Sequence, residues 1–481
     1  MMHDTLYDEL LATPLDADVR ALAARFAPCI RFDAHEPFMP LAAGVTLFHV
    51  DGPSPSFPRL ITLAATEPGE ADAAIAIEYA IWWDWDIGHL YELEHVWVYL
   101  DAAGRLLRCE ASAHGGYAVM RAGHDVERYG EHPVLYAEPG KHAFAATAAR
   151  YTAATLGRER TSTKHLAGNA GLLVTSLFRG VYHSTPQIDT LARSYLIAHA
   201  FEPGFVFSRE FLFEPPQLVA WPALCDWIPR RINWWVERLK REIGPDTFEP
   251  LRIGHRGAAA HAPDNSLAGI DIAARLDAHM VEIDVQLSRD GVPVVLHDTG
   301  VRDAARRWWP VAALTAAELA GLPAAVPTLA TLVECCAERR LGIYLELKDG
   351  AAIEPALAVL QAYEMLGITI GASFRPDWLA DLKTAAPQLA TAVLFGAPTV
   401  DAPALAAACG AKYVHPCWER RGERPDRYMS DAWIAQVRAA ELGIICWHEE
   451  RPEVIAALRR RGVDGICSDR PELLVRLPAQ T

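Results

Sequence analysis

The chain has 481 residues, of which 51% are hydrophobic and 22% charged, and its formal net charge is -16 at pH 7, as in a globular protein long enough for two or more cores. So acidic a chain is not expected to bind nucleic acid, and a phosphate site would need a local cluster of cations. The nine cysteines form no evident disulfide framework, and the lack of a signal peptide or of an apolar run of about 20 residues predicts a cytoplasmic protein.

The first part of the chain, residues 1–214, is rich in segments typical of β-strands. They contain many β-branched and aromatic residues and are separated by Gly, Pro and Asp. Few helices fit between them, so the pattern predicts a mostly-β domain built as an antiparallel sandwich. The predicted strands are Cys29–Phe32, Val45–Val50, Leu60–Ala64, Ala74–Trp83, Glu94–Leu100, Leu106–Ala111, Pro133–Tyr136 and Phe205–Phe213.

Residues 215–247 are predicted to form a helical connector. The segment carries Trp221, Trp227, Trp234 and Trp235 among several Arg and Lys residues. A Trp- and Arg-rich helix could lie on a membrane surface. The alternative, which we favour, is a helix packed between two domains with its basic face in solvent, because amphipathic patterning is far commoner than membrane binding.

From residue 248 to 481, short apolar strands alternate with helix-length segments. Eight such strand–helix units predict a TIM barrel, which makes the whole chain a multidomain protein. Val292–His297 reads as an extra strand, in a hairpin with the second barrel strand. The predicted barrel strands are Leu251–His255, Val281–Val285, Ile343–Leu347, Thr369–Phe374, Ala392–Phe395, Lys412–His415, Ile444–Trp447 and Gly465–Cys467.

Three carboxylates fall near the carboxyl ends of neighbouring predicted strands, where TIM barrels carry their active sites. Glu282 and Asp284 are two residues apart on one strand, so both point to the same face, and Glu346 is on the next strand. Three carboxylates held close together need a hard divalent cation, and oxygen ligands favour Mg²⁺ or Ca²⁺.

Cations and histidines lie at the same strand ends. Arg256 and Lys348 supply positive charge for a phosphate group. His255 and His297 titrate near neutrality and can exchange protons with the attacking and leaving oxygens. Together with a metal ion, this set is suited to in-line displacement at phosphorus, although each element alone has an ordinary structural explanation.

These segments resemble the glycerophosphodiester phosphodiesterase family over nearly all of residues 251–478. The resemblance implies a TIM barrel that hydrolyses glycerophosphodiesters to an alcohol and glycerol 3-phosphate, with a neighbouring glycerol hydroxyl able to attack first. It also implies Glu282, Asp284 and Glu346 as metal ligands, His255 and His297 as the acid/base pair, and Arg256 and Lys348 as phosphate contacts. The matching motifs are His255-Arg256-Gly257, Ala262-Pro263-Asp264-Asn265-Ser266-Leu267, Glu282-Ile283-Asp284, Leu296-His297-Asp298, Leu345-Glu346-Leu347-Lys348 and Gly462-Val463-Asp464-Gly465-Ile466-Cys467-Ser468-Asp469-Arg470-Pro471.

Three departures from the family pattern bear on the substrate. Asp264 replaces a usual Glu. The family's Trp-Thr-Val-Asn after the seventh strand is here Trp447-His448-Glu449-Glu450, a change that bears on what the leaving alcohol meets. The stretch between His297 and Glu346 is short and contains Trp308 and Trp309 after two arginines. That stretch leaves little room for the small cap that many family members carry, and a more open active-site mouth could admit a lysophospholipid or sphingolipid. The reaction would then be phospholipase-D-like cleavage, with the first domain as a recognition module. Alternatively, the two tryptophans could simply pack on a neighbouring loop.

A polar stretch in the first domain resembles the necrosis- and ethylene-inducing-peptide-like family over roughly residues 75–145. The resemblance implies a β-sandwich with a bound cation and leaves open a role in headgroup or glycan recognition, or a vestigial scaffold. Each of these residues alone could be an ordinary polar residue at a strand end. The stretch comprises Asp84, Asp86, Gly88, His89, Glu92 and Glu94, followed by Ser112-Ala113-His114-Gly115-Gly116.

Overall fold

The structure is a computed structural model, which describes residues 4–66, 70–113, 115–123, 125–152, 166–244 and 247–475. The chain divides into two compact units: Met1–Ser184 with Tyr195–Glu242, and Thr185–Ser194 with Ile243–Thr481. The domain predicted from the sequence comprised residues 1–214. In the structure, residues 185–194 within that range group with the second unit. Among the described residues, no helix combines the length and the apolar character that a membrane span requires.

The first unit contains two main sheets and a two-stranded ribbon. The smaller sheet consists, in spatial order, of Phe144–Ala145, His132–Ala137, Cys29–Phe32 and Arg209–Phe211, with Arg128–Tyr129 also paired to His132–Ala137. The larger sheet runs through Leu218–Ala220, Ala42–Phe48, Ile75–Trp85, His89–Leu100, Leu106–Ala113 and Gly116–Val119, with Gly171–Leu172 paired to His89–Leu100. The ribbon joins Gly52–Pro53 to Leu60–Ile61.

Most described strand pairs of the two sheets are antiparallel, as predicted, but both sheets also contain parallel pairs that the sequence did not predict. Cys29–Phe32 pairs in parallel with His132–Ala137, and Ala42–Phe48 pairs in parallel with Leu218–Ala220. Parallel neighbours require long crossover connections, and the strand pattern alone does not reveal which distant segment returns to which edge. The packing of the two sheets as a sandwich stays a prediction.

The described helices of the first unit lie near its sequence ends. Asp16 caps the second of them by accepting hydrogen bonds from the backbone N–H groups of Asp18 and Val19. The strand-rich sequence pattern of this domain did not predict the first two helices. The helices are Thr5–Leu11, Ala17–Phe26, Pro186–Ala198, which continues from the second unit into the first, and Trp221–Glu242.

The predicted connector is the helix Trp221–Glu242, which packs on the larger sheet of its own unit. Trp227 meets Trp82 edge to face, with ring centroids 5.9 Å apart, and Trp235 meets Trp85 in the same way at 4.9 Å. The nearly buried Arg231 donates hydrogen bonds to both oxygens of Asp84, at 2.9 and 2.6 Å. The tryptophans that suggested a membrane surface are therefore largely core residues.

The second unit is a closed barrel of eight parallel strands, so the predicted TIM barrel is confirmed. Each strand pairs in parallel with the next, and the first strand also pairs with the last, which closes the barrel. Every predicted strand is present with its bounds within two residues. The barrel strands, named first to eighth below, are Leu251–Gly254, Met280–Leu287, Gly342–Leu347, Thr369–Ser373, Ala390–Phe395, Tyr413–Pro416, Gly443–Cys446 and Gly465–Ser468.

Helices surround the barrel, and an extra strand, Pro293–Val295, runs antiparallel to the second barrel strand. A separate hairpin pairs Gly300–Arg302 with Trp308–Pro310. The helices of this unit are Leu267–Arg275, Ala316–Ala320, Leu329–Arg339, Ile353–Ala362, Pro376–Ala385, Ala402–Cys409, Asp431–Ala439 and Pro452–Arg460.

The barrel interior is apolar at one end and polar at the other. Along the second strand, Met280 shares a face with Glu282 and Asp284, since alternate residues of a strand point the same way. Met280 belongs to a buried cluster with Ile253 and Tyr344 at the start of the barrel. The two carboxylates follow further along the strand, so the site sits above an apolar floor, at the carboxyl ends of the strands.

Candidate active site

Three buried carboxylates meet near the carboxyl ends of the second and third strands. Asp284 and Glu346 lie opposite each other in the parallel register, and one oxygen of each, with one of Glu282, lies within 4.8 Å of the others. All three side chains are almost fully buried. Glu282 Oε1 and Glu346 Oε2 accept no hydrogen bond from the described residues. Buried oxygens without donors fit a divalent cation, which would supply the missing positive charge.

The electrostatics of the cluster point the same way. Burial raises the pKa of Glu346 to about 7, although Lys348 opposes the change. Burial, followed by the nearby charges of Asp284 and Glu346, also raises the pKa of Glu282 well above its ordinary value. Glu282 and Glu346, whose pKa values are raised in the metal-free site, would ionise more readily beside a divalent cation.

Two cations border the carboxylates. Lys348 Nζ lies 3.1 Å from Asp284 Oδ1 and also donates a hydrogen bond to Glu346. Arg256 donates its backbone N–H to Glu282 Oε2 at 2.9 Å, and its guanidinium Nε lies 3.5 Å from Asp284 Oδ2. Positive charge therefore stands at the rim of the cluster, and Arg256 and Lys348 could bind a phosphate group there.

The turn that carries Arg256 depends on two neighbours. Asp264 accepts a hydrogen bond from Arg256 Nη1 at 2.6 Å, so it orients the guanidinium. Gly257 has φ +91°, and a Cβ there would lie 2.9 Å from the backbone carbonyl carbon of Gly269. The Gly of the His-Arg-Gly motif is therefore required both for its conformation and for the close approach of the following helix.

Asn265 is a site residue to which the sequence analysis gave no role. Its Nδ2 donates to Asp284 Oδ2 at 2.8 Å, and its Oδ1 accepts from the backbone N–H of Asp284 at 3.2 Å. The only sequence signal was its place in the motif Ala262-Pro263-Asp264-Asn265. Asn265 fixes the orientation of a carboxylate at the centre of the cluster.

His255, at the end of the first strand, is buried and oriented by Asp469. Its Nδ1 lies 2.5 Å from Asp469 Oδ1, so the ring donates to this carboxylate, and its Nε2 lies 3.9 Å from Glu282 Oε2. Burial lowers the pKa of His255, and the hydrogen bond to Asp469 opposes that change. Asp469 was part of a motif in the sequence but had no predicted role. A neutral ring that donates through Nδ1 presents the Nε2 lone pair to the carboxylate cluster.

His297 follows the extra strand and is more exposed than His255. Its Nδ1 lies 2.9 Å from Asp298 Oδ1. The nearly buried Gln286 donates to the carbonyl oxygens of Leu296 and Asp298, at 2.6 and 2.8 Å, and so holds the backbone on both sides of His297. Leu296 donates its N–H to the carbonyl oxygen of Asp284 at 2.8 Å, so the residue before His297 contacts the strand that carries the carboxylates.

Aromatic rings border His255 on its other sides. Trp447 lies with its ring centroid 5.6 Å from that of His255, and His448 stacks on His255 at 4.8 Å with the rings 8° apart. The predicted site residue Trp447 is thus beside the histidine, and Phe374 lies 6.1 Å from it. Residues 447–450, where the sequence departs from the family pattern, therefore include two side chains that contact His255.

A second group of possible metal ligands lies in the first unit. One ligand atom each of Asp86, His89 and Glu92 lies within 4.8 Å of the others, and the group opens into a cavity of about 550 Å³ that Glu94 and Lys141 also line. Burial raises the pKa of Glu92 to about 7, although His89 opposes this. Asp86 is fully buried, and its Oδ2 accepts no hydrogen bond from the described residues.

The other residues predicted for this group have different surroundings. Asp84 does not join it, because both of its oxygens pair with Arg231. Glu94 accepts a hydrogen bond from the Ser112 hydroxyl. His114 of the predicted motif lies outside the described residues.

Comparisons with known proteins concern the second unit. The sequence model of the Glycerophosphoryl diester phosphodiesterase family matches residues 255–473. A glycerophosphodiester phosphodiesterase of Caldanaerobacter subterraneus subsp. tengcongensis is 27% identical over 246 residues, which is 48% of this chain and 98% of that protein. A probable glycerophosphodiester phosphodiesterase 1 of Mycobacterium tuberculosis is 29% identical over 254 residues, 46% of this chain and 90% of that protein.

The solved structures that resemble this chain cover a similar share of it. An Oleispira antarctica phosphodiesterase in complex with the product sn-glycerol-3-phosphate is 23% identical, covering 48% of this chain and 97% of that one with a TM-score of 0.42. A Silicibacter pomeroyi protein described as a glycerophosphoryl diester phosphodiesterase is 26% identical, covering 46% and 90% with a TM-score of 0.41.

Proposed function

Because the C-terminal half of the chain is a domain of the glycerophosphoryl diester phosphodiesterase family, and hence a phosphoric diester hydrolase, we propose that it hydrolyses glycerophosphodiesters to an alcohol and glycerol 3-phosphate. One observation carries the proposal within the site itself. The buried cluster of Glu282, Asp284 and Glu346 is bordered by Arg256 and Lys348 at the polar end of the barrel. An anionic phosphodiester, which the two cationic side chains and a metal ion could bind together, suits this arrangement far better than a neutral substrate does.

Glu282, Asp284 and Glu346 are the residues that would hold Mg²⁺ or Ca²⁺. The donor set consists of oxygens alone, and two of these oxygens lack any described donor. When bound, the ion would act as a Lewis acid on the phosphoryl group. Asn265 keeps Asp284 turned toward the cluster, and Lys348 balances the charge that remains on Asp284 and Glu346.

Arg256 and Lys348 would bind the non-bridging phosphate oxygens, and Asp264 would keep Arg256 in place. His255 and His297 would carry the protons. One takes a proton from the attacking hydroxyl as the new O–P bond forms, and the other donates a proton to the leaving alcohol as its O–P bond breaks. The attacking oxygen is the neighbouring glycerol hydroxyl, which gives a cyclic phosphate that water then opens, or water itself.

The test is release of glycerol 3-phosphate from glycerophosphocholine by the full chain, with Mg²⁺, Ca²⁺ or a chelator. We expect turnover with at least one of the two cations and loss of turnover with chelator. Lysophosphatidylcholine and sphingomyelin are assayed in parallel. Turnover of these lipids but not of soluble diesters would favour the phospholipase-D-like alternative. No turnover of any diester with either cation would contradict the proposal.

We also propose a second cation site in the first unit, formed by Asp86, His89 and Glu92. One observation supports this site: Asp86 Oδ2 is buried and accepts no hydrogen bond from the described residues, although the group to which it belongs opens into a cavity. Calorimetric titration with Ca²⁺ or Mg²⁺ is expected to give two ions per wild-type chain and one for the double variant Asp86→Asn, Glu92→Gln. Glu131→Gln, which changes an exposed carboxylate of the same unit, is the matched control. An unchanged stoichiometry in the double variant would contradict this site.

A further inference from the structure

The loops that follow the seventh and eighth strands are tied together by one carboxylate, that of Glu450. Its Oε1 accepts hydrogen bonds from the backbone N–H of Asp469 at 3.0 Å and from the Ser468 hydroxyl at 3.2 Å. Its two oxygens also lie 3.2 and 3.1 Å from Nδ1 of His448. Glu450 therefore connects Asp469, which is the hydrogen-bond partner of His255, and the preceding residue Ser468 to the loop that carries His448.

His448 and Asp469 contact the His255 ring from two directions. The His448 ring lies parallel to the His255 ring, 8° from it, with the centroids 4.8 Å apart. Asp469 binds the ring at its Nδ1 edge, and its Oδ2 lies 3.8 Å from His448 Nδ1. A stacking contact restricts the plane of the imidazole, and an edge hydrogen bond restricts its rotation within that plane. Together they define where Nε2 points.

The charges in this group support the same arrangement. Glu450 and Asp469 are two carboxylates close together, which would repel each other if nothing stood between them. The hydrogen bond with Glu450 raises the pKa of His448. When His448 is protonated, its charge beside both carboxylates offsets their repulsion, and the nearby histidines lower the pKa of Asp469.

We propose that His448 and Glu450 are positioning residues, which hold the His255–Asp469 pair so that His255 Nε2 faces the carboxylate cluster. The inference rests on the proposed function, in which His255 transfers a proton. Proton transfer requires the nitrogen to lie within hydrogen-bond reach of the reacting oxygen, and a misplacement of about 1 Å can lower the rate by about 100-fold. His448 and Glu450 belong to the segment in which this sequence departs from the family pattern.

Four variants separate the stacking contact from the hydrogen bonds. His448→Phe keeps a flat ring against His255 and loses the hydrogen bond with Glu450, whereas His448→Asn keeps a polar donor and loses the ring. Glu450→Gln keeps one acceptor oxygen, and Glu450→Ala removes both. The exposed Glu423→Gln, on the preceding loop, is the matched control.

With glycerophosphocholine and saturating cation, we expect Glu450→Ala and at least one His448 variant to lower kcat by about 10- to 100-fold, with KM changed less than about threefold. Glu450→Gln is expected to recover part of the loss. If KM rose while kcat stayed unchanged, His448 and Glu450 would bind substrate instead, and the proposal would be overturned. Wild-type kcat in both Glu450→Ala and the two His448 variants would overturn it as well.

A second measurement needs neither cation nor turnover. Long-range ¹⁵N–¹H correlation spectra of the metal-free full chain, labelled at histidine, report which ring nitrogen of His255 carries the proton, with His255→Ala providing the assignment. Wild type is expected to show a neutral ring protonated at Nδ1, and Glu450→Ala a mixture of tautomers. An unchanged spectrum in Glu450→Ala would contradict positioning.

Turnover by His255→Ala separates the two proposals. If this variant kept full turnover, the proposed function would fail. If it lost turnover while Glu450→Ala and the His448 variants behaved as wild type, only the present inference would fail.

Discussion

Asn265 holds Asp284 at two points, donating to Oδ2 of the carboxylate at 2.8 Å and accepting from the backbone N–H of the same residue at 3.2 Å. The pair connects the turn before the first helix of the barrel to the second strand. Asp284 therefore has a fixed orientation before any ligand arrives, which is the usual contribution of residues behind a metal ligand.

Asn265→Ala is expected to weaken cation binding at the barrel site by about 10- to 100-fold, because Asp284 would lose its orienting partner. The measurement is calorimetric titration of the full chain with Mg²⁺ or Ca²⁺. Asn233→Ala, in an exposed part of the long helix of the first unit, is the control. An affinity equal to that of wild type would show that Asn265 has no part in preparing the site.

Glu346→Gln is expected to abolish turnover yet stabilise the metal-free protein at pH 8. Burial raises the pKa of Glu346 to about 7, so the folded metal-free chain holds this proton more tightly than the unfolded chain does. The raised pKa of Glu346 lowers the free energy of unfolding of the metal-free chain. This loss is absent below the ordinary Glu pKa of about 4.3 and grows as the pH rises toward about 7. The neutral side chain removes this penalty, by about 1–3 kcal/mol.

Denaturant unfolding in chelator at pH 5 and pH 8 measures the effect. The difference between Glu346→Gln and wild type should be larger at pH 8 than at pH 5. Glu354→Gln, on a neighbouring helix, should show no such dependence. A variant that is less stable than wild type at pH 8 would mean that the hydrogen bond from Lys348 outweighs the repulsion.

Asp469→Asn is expected to lower kcat by about 100- to 10,000-fold. The amide preserves the shape of the side chain but can donate to Nδ1, which would favour the wrong tautomer of the buried His255. Asp298→Asn is the matched comparison at His297, where the carboxylate is 78% exposed against 30% for Asp469. Water can replace an exposed partner, so we expect less than about a tenfold loss there. Equal effects of the two changes would contradict this ranking.

Asp264→Ala is expected to raise KM for glycerophosphocholine by about 3- to 10-fold with little change in kcat. Asp264 orients Arg256, and its removal leaves the guanidinium freer to move before the phosphate binds. Asp264→Glu restores the usual residue of the family and should keep KM near that of wild type. A fall in kcat alone would place Asp264 in the chemical step instead.

The sequence was most informative where one residue and its neighbours decide the outcome. Strand limits in the barrel follow from short apolar runs, and the face shared by Glu282 and Asp284 follows from strand periodicity.

Roles that depend on distant partners could not be predicted. Asp469 is 214 positions from His255, and Arg231 is 147 positions from Asp84. Nothing in the local pattern of Asp84 distinguishes a carboxylate that pairs with arginine from one that joins Asp86 and His89. Only the folded arrangement of the helix Trp221–Glu242 on its sheet decides between them.

The interleaved course of the two units has a consequence for how the chain is made. Residues 185–194 belong to the second unit, where Asp189 pairs with Lys412 at 2.9 Å and Thr190 donates a hydrogen bond to Asp464 at 3.2 Å. These partners are synthesised more than 200 residues later. The segment can make these contacts only when most of the barrel has been synthesised, and a cut between residues 242 and 243 would leave the second unit without residues 185–194.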